Sequence, residues 1–342
     1  MQQFVFYKKE NFLAFTKIRP GETKLGEKIL AIQHESRWSD EVKRSTARFV
    51  LIGIPEDIGV KANLGMGGTQ TAWNAFLASF FNIQQNGFLD AEKILLLGYF
   101  DFSDLQKNTK GKPVELVREA VAKIDKQVAD VIRKIVAAGK IPIVIGGGHN
   151  NAYGNIKGAA IGLAEIGRSR SVSVNCINLD AHTDFRILEG RHSGNGFSYA
   201  FAEGYLKKYA VIGVHENYIT NSILEEMDRN KNLQVSTYEG IFVKEKITFQ
   251  KALQQAIAFT KDGYIGLELD LDSIENVLSS AASPSGISVL QARQFIHQTA
   301  SASKVAYLHI CEGAAKLDDG QSSSTVGKLI ACLVSDFVKA IE

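Results

Sequence analysis

The sequence predicts an α/β fold built round a parallel sheet, and three observations lead there. Eight short apolar runs rich in Val and Ile alternate with longer stretches of helical periodicity. The runs are apolar throughout rather than at every second position, as in strands buried on both faces. Several of them end in acids and histidines at their carboxyl ends, where parallel α/β folds bind ligands.

The first 45 residues are the least regular, with a turn at Pro20-Gly21, and are expected to pack as an extension on the edge of the domain. The predicted strands then follow at Phe49 to Pro55, Ile94 to Phe100, Ile141 to Ile145, Val172 to Asp180, Ala210 to His215, Leu233 to Tyr238, Tyr264 to Leu271 and Val305 to Cys311. Helical periodicity falls between or after them, at Val114 to Ala138, Phe249 to Thr260, Val289 to Ser301 and Val326 to Ile341. Pattern alone leaves an open sandwich and a closed barrel both possible. No linker interrupts the alternation, so one domain over residues 1–342 is expected.

Composition narrows the function classes. The 342 residues are 45% hydrophobic and 22% charged, ordinary for a globular chain. A net charge of +2 without a basic block argues against nucleic acid as a partner. No stretch reaches the ~20 apolar residues of a membrane span, and Lys8, Lys9 and Glu10 interrupt the N-terminal apolar residues that a signal peptide would need. Cys176, Cys311 and Cys332 are far apart in apolar surroundings, which predicts buried thiols and a cytoplasmic setting.

The chemistry lies at the strand ends. Ile141 to Ile145 leads into Gly146-Gly147-Gly148-His149; the fourth run leads into Asp180-Ala-His182-Thr-Asp184; the seventh ends at Asp270-Leu-Asp272; the last leads into Glu312. Alternate residues at a strand end point to one side, so Asp180, His182 and Asp184 can aim at one point, and Asp270 and Asp272 repeat the spacing. Four carboxylates cannot stay ionised together in apolar surroundings without counter-charge. Divalent metals supply it, and a set of four Asp and two His without Cys suits Mn²⁺ better than structural Zn²⁺. Six ligands are more than one ion draws from side chains, so two ions are expected.

These three motifs resemble the metal motifs of the arginase, agmatinase and formimidoylglutamase family, in order and in separation, from about Phe49 to the C-terminus. The resemblance implies a three-layer α/β/α sandwich with a parallel sheet of about eight strands, and a pair of Mn²⁺ ions. One ion would be held by His149, Asp180, Asp184 and Asp270, the other by Asp180, His182, Asp270 and Asp272, with Asp180 and Asp270 bridging. It also implies hydrolysis of a small amidine or guanidino substrate, with Asp184 relaying a proton to the leaving nitrogen and Glu312 pairing with the cationic amidine. Family members often assemble as trimers or hexamers, so a homo-oligomer is possible.

Within that resemblance, His192-Ser-Gly-Asn195-Gly-Phe197 matches the loop in which arginases carry a proton-shuttling histidine, and here Phe197 takes its place. Formimidoylglutamases resemble this chain in having an aromatic there and in the loop Glu56 to Asn63. The substrate expected is therefore N-formimidoyl-L-glutamate, with Asn63, Arg191, Asn195, Phe197 and Glu312 contacting it, and with Arg186 and Arg191 receiving its carboxylates. A guanidino hydrolase that releases urea, or a catalytically silent scaffold, are the alternatives. Three departures mark a divergent branch: Asn150 after the first histidine, Glu275-Asn276 where Asp-Pro is usual, and Glu312-Gly-Ala where Glu-x-Asn-Pro is common.

Overall fold

A computed structural model describes residues 4–168 and 173–341 of the chain. Nine strands form one sheet: β1 Phe4–Phe6, β2 Phe49–Gly53, β3 Ile94–Phe100, β4 Ile141–Ile145, β5 Val174–Leu179, β6 Leu206–Val214, β7 Leu233–Thr237, β8 Tyr264–Asp270 and β9 Lys304–Cys311. Their spatial order is β1-β3-β2-β4-β9-β8-β5-β6-β7. Strands β2 to β9 are the eight predicted ones and pair in parallel. The ninth comes from the N-terminal extension: β1 adds to the edge by pairing antiparallel with β3. Val172, at the start of the fourth predicted run, lies outside the described residues.

Alternate strand residues feed two cores, which settles the sandwich. Phe49 and Leu51 join one core with the helices Ala72–Phe80, Phe249–Thr260, Val289–Ala302 and Val326–Ile341. Val50 and Ile52 join the other with Val114–Ala137, Asn151–Glu165 and Gly196–Ala202. Among the described residues no helix is long and apolar enough to cross a membrane. Cys176 and Cys311 are buried as predicted, but Cys332 is exposed, on the solvent side of the Val326–Ile341 helix.

The helix Asn151–Glu165 follows His149 directly and is anchored by a stripe of glycines. Side chains at Gly158 and Gly162 would come within 2.6 Å of the Ala129 and Arg133 carbonyl oxygens, so only glycine lets the Val114–Ala137 helix pack this closely. The close packing fixes the helix that begins two residues after His149.

A candidate binuclear metal centre

The order of the sheet brings the three motifs together. β4 and β5, which carry His149 and Asp180, are separated by β9 and β8, which carry Glu312 and Asp270, so four neighbouring strand ends converge. The turn out of β4 needs its glycines. Gly146 and Gly147 have φ of +90° and +75°, and a side chain at Gly147 would meet Asn151 Nδ2 at 2.4 Å. Two ionisable residues of the site, Asp184 and Glu312, also sit at positive φ, +44° and +62°, a cost that ordinary strand-to-helix turns do not carry.

His149 Nδ1 lies 2.8 Å from Asp184 Oδ2, 3.1 Å from Asp270 Oδ2 and 3.2 Å from Asp180 Oδ2. His182 Nδ1 lies 3.4 Å from Asp272 Oδ2 and 3.6 Å from Asp180 Oδ1. Two ligand sets result at the floor of the site, His149, Asp180, Asp184 and Asp270, and Asp180, His182 and Asp272; a third group of possible ligands, His149, Glu268, His309 and Cys311, is fully buried. Asp180 belongs to both sets at the floor. Asp270 Oδ1 accepts the Asp272 N–H at 2.8 Å, so its other oxygen is the one turned to His149.

The donor set fits a pair of divalent cations. His149 is fully buried, yet among the described residues its Nδ1 has no partner in hydrogen-bonding geometry, and neither does Asp272 Oδ1. An orphaned ring nitrogen facing three carboxylate oxygens is a costly arrangement unless a cation completes it. The electrostatics agree. Burial, together with Asp272 and Asp180, pushes the Asp270 carboxyl well above its ordinary range. Burial and Asp180 likewise raise Asp184 to about 6. Burial would lower the His149 and His182 imidazoles, but the facing acidic groups outweigh it and raise both.

A cavity of about 420 Å³ opens over this cluster, bounded by His182, Asp184, Asp270, Asp272 and Glu312 on one side and by Asn63, Arg186, Ser193 and Thr220 among the rest. Glu312 Oε1 accepts the His149 backbone N–H at 2.8 Å. Burial, and then Asp272 and Asp184, push its carboxyl up to about 8. The Arg186 guanidinium is half exposed and holds Asn63 Oδ1 at 2.9 Å and Glu189 Oε1 at 2.8 Å.

Three expected substrate contacts do not border this cavity. Arg191 is buried: its Nε donates to Asp125 Oδ2 at 2.8 Å, its Nη2 to the Asn150 carbonyl at 2.9 Å, and its guanidinium lies 4.9 Å from the ring centres of both Tyr153 and Tyr199. Asn195 is consumed by the loop, accepting from the His192 N–H and donating to the Gly190 carbonyl. Phe197 is fully buried behind His149. In each case loop folding turns the side chain inward, towards an ion pair or a core that sequence spacing does not reveal. Tyr218 was not anticipated; it lines the cavity and stacks on the His182 ring with centroids 5.1 Å apart. Its only sequence signal is an aromatic three residues past His215, the end of the fifth predicted run.

The family model of the arginase family matches residues 47–335. The chain belongs to the arginase family. It is 28% identical over 286 residues to a formimidoylglutamase of Macrococcus caseolyticus, covering 82% of each chain. Among solved structures, the formimidoylglutamase of Bacillus subtilis matches with a TM-score of 0.72 at 15% identity, over 95% of this chain and 94% of that one. Trypanosoma cruzi formiminoglutamase, solved with Mn²⁺, matches with a TM-score of 0.67 at 20% identity, over 93% of this chain and 98% of the other. As an arginase-family hydrolase, the chain acts on amidino C–N bonds, and all six expected ligand residues stand together at the carboxyl edge of its sheet.

Proposed function

We propose that this arginase-family chain is a cytoplasmic hydrolase that converts N-formimidoyl-L-glutamate to L-glutamate and formamide with two Mn²⁺ ions. The observation that carries the substrate choice is the polarity of the cavity: its floor is the acidic cluster with Glu312, and the half-exposed Arg186 stands in its wall. A molecule with a cationic amidine at one end and carboxylates at the other matches both ends. Agmatine offers Arg186 no carboxylate beyond the Glu189 that it already holds. The curated relatives named formimidoylglutamase, and a Mn²⁺-containing structural neighbour, support the same reading.

His149, Asp180, Asp184 and Asp270 would hold one ion, and Asp180, His182 and Asp272 the other; the second role expected of Asp270 does not appear in the grouping of these side chains, and Asp180 alone is common to both sets. When bound, the ions supply the Lewis acidity that ionises an attacking water near neutral pH. The chain's own groups do the rest. Glu312 pairs with the amidinium and fixes the planar carbon over the cluster. Arg186, steadied by Asn63, takes a substrate carboxylate. Water oxygen bonds to the formimidoyl carbon, the bond from that carbon to the glutamate nitrogen breaks, and Asp184 passes the proton that the water gives up to the departing amine. The unpaired buried thiols Cys176 and Cys311 suit the reducing cytoplasm.

The test is a product assay on the Mn²⁺-loaded protein with formimidoylglutamate, arginine and agmatine. Formamide from the first, well above urea from the others, is the expected result. Urea as the faster product would overturn the substrate while sparing the metal centre, and no turnover of any of them would overturn both substrate and activity.

A further inference from the structure

Beneath the ligand cluster lies a second group of polar side chains that the reaction above does not use: Glu268 on β8 and Tyr307 and His309 on β9, all buried. The parallel pairing sets Glu268 in register with His309. Both carboxylate oxygens are engaged. Oε1 accepts the Tyr307 O–H at 2.7 Å, and Oε2 accepts from His309 Nδ1 at 2.6 Å. The far nitrogen of His309 lies 3.3 Å from the carbonyl of Gly146, in the turn that delivers His149.

Glu268 Oε2 also lies 3.5 Å from His149 Nε2. That separation exceeds ordinary hydrogen-bond length, so the contact acts through charge. It nevertheless matters, because among the described residues Nε2 has no hydrogen-bonding partner of its own. An imidazole that offers Nδ1 to a cation must keep its proton on Nε2. An acceptor-only oxygen opposite Nε2 favours that tautomer and makes Nδ1 a stronger donor to metal. The chain bears the cost of a fully buried carboxylate where it faces the back of His149.

We propose that Glu268 is a positioning residue that holds His149 with its proton on Nε2 and Nδ1 directed into the metal cluster, while Tyr307 and His309 fix the Glu268 carboxylate. This rests on the two-metal reading above. The role confines Glu268 to one of the two ions: His149 joins Asp184 and Asp270 in one ligand set, whereas His182 and Asp272 form the other with Asp180.

The experiment titrates Mn²⁺ into metal-stripped full-length protein and into Glu268→Gln and Tyr307→Phe, following affinity by calorimetry and metal coupling by electron paramagnetic resonance. Gln keeps the shape but presents an amide in place of a charged acceptor. Glu268→Gln should weaken one binding step by about tenfold to a hundredfold, leave the other step intact, and show an uncoupled Mn²⁺ signal where the unmodified protein shows a coupled pair. Tyr307→Phe, a milder change that keeps the proposal testable if Glu268→Gln does not fold, should weaken the same step by a few-fold. Equal affinities in the unmodified protein and both variants, or equal weakening of both steps, would overturn the role of Glu268. Failure of the unmodified protein to bind Mn²⁺ would instead overturn the metal reading on which it rests.

Discussion

The ring of Phe197 meets the imidazole of His149 edge-on, with centroids 5.0 Å apart and planes at 86°. Its face stacks on Tyr209 at 4.4 Å. Phe197 is therefore a wall behind a ligand, not a lining of the substrate cavity. Phe197→Ala should destabilise the protein by about 3–5 kcal/mol, as large-to-small changes in aromatic cores do, and should weaken metal binding with it. Phe197→His should not create arginine hydrolysis, because a ring placed there has no access to the cavity. Denaturant melts and a urea assay check both statements; appreciable urea release by Phe197→His would refute this placement.

Removal of a shared ligand should differ from removal of an unshared one. Asp180 stands in both ligand sets, so Asp180→Ala is expected to lose both ions, whereas Asp272→Ala should retain the ion on the His149 side. Asp270→Ala should lose turnover and at least one ion. Metal analysis of purified variants measures this directly, and full metal content in Asp180→Ala would argue against a shared carboxylate.

The two arginines of the loop should respond in opposite ways. Arg186 borders the cavity, and its loss removes a charged contact worth about 1.5–3 kcal/mol, so Arg186→Ala should raise KM for formimidoylglutamate roughly tenfold to a hundredfold with little change in stability. Arg191 is buried against Asp125, and breaking such a pair costs about 3–5 kcal/mol, so Arg191→Ala should unfold more easily. A KM unchanged in Arg186→Ala would remove Arg186 from substrate binding.

His192 should make stability depend on acidity. Its side chain is fully buried beside the cavity loop, and burial, with Arg186 and Arg118 nearby, lowers its pKa from 6.5 to about 4. Above 6.5 the imidazole is neutral in both folded and unfolded chains. As pH falls from 6.5 through about 4, the unfolded chain takes up a proton that the folded chain refuses, so up to about 3 kcal/mol of stability should drain away. His192→Asn keeps an acceptor for the Gly194 N–H and should flatten that part of the profile in equilibrium unfolding. An unaltered slope would assign the loss to other groups.

How far the sequence carried depends on periodicity. Asp180, His182 and Asp184 were legible because a strand end repeats every second residue, and the helices Phe249–Thr260 and Val326–Ile341 because their apolar stripes face one core. The Asn151–Glu165 helix escaped because it is buried almost all round, with Gly154, Gly158 and Gly162 where a stripe would show larger side chains. Glu268 extends the alternation of Asp270 and Asp272 by one step, but it sits inside an apolar run that reads as ordinary strand. Arg186 and Arg191 lie five residues apart in an aperiodic loop, and only its folded path decides which one faces the cavity.

The placement of β9 and β8 between β4 and β5 also governs how the protein comes into being. A ribosome releases His149, Asp180, His182 and Asp184 well before the two strands that must be inserted between their supports have been made. Until Tyr264–Asp270 emerges β5 keeps an unpaired edge, and until Lys304–Cys311 emerges β4 and β8 keep theirs, open to neighbouring chains. A cation arriving before Tyr264–Asp270 is made would meet four of the six expected ligands and lack Asp270 and Asp272. On the two-metal reading the cage would close late in biogenesis, and the newborn chain is most exposed to aggregation in the interval before β8 and β9 enter the middle of the sheet.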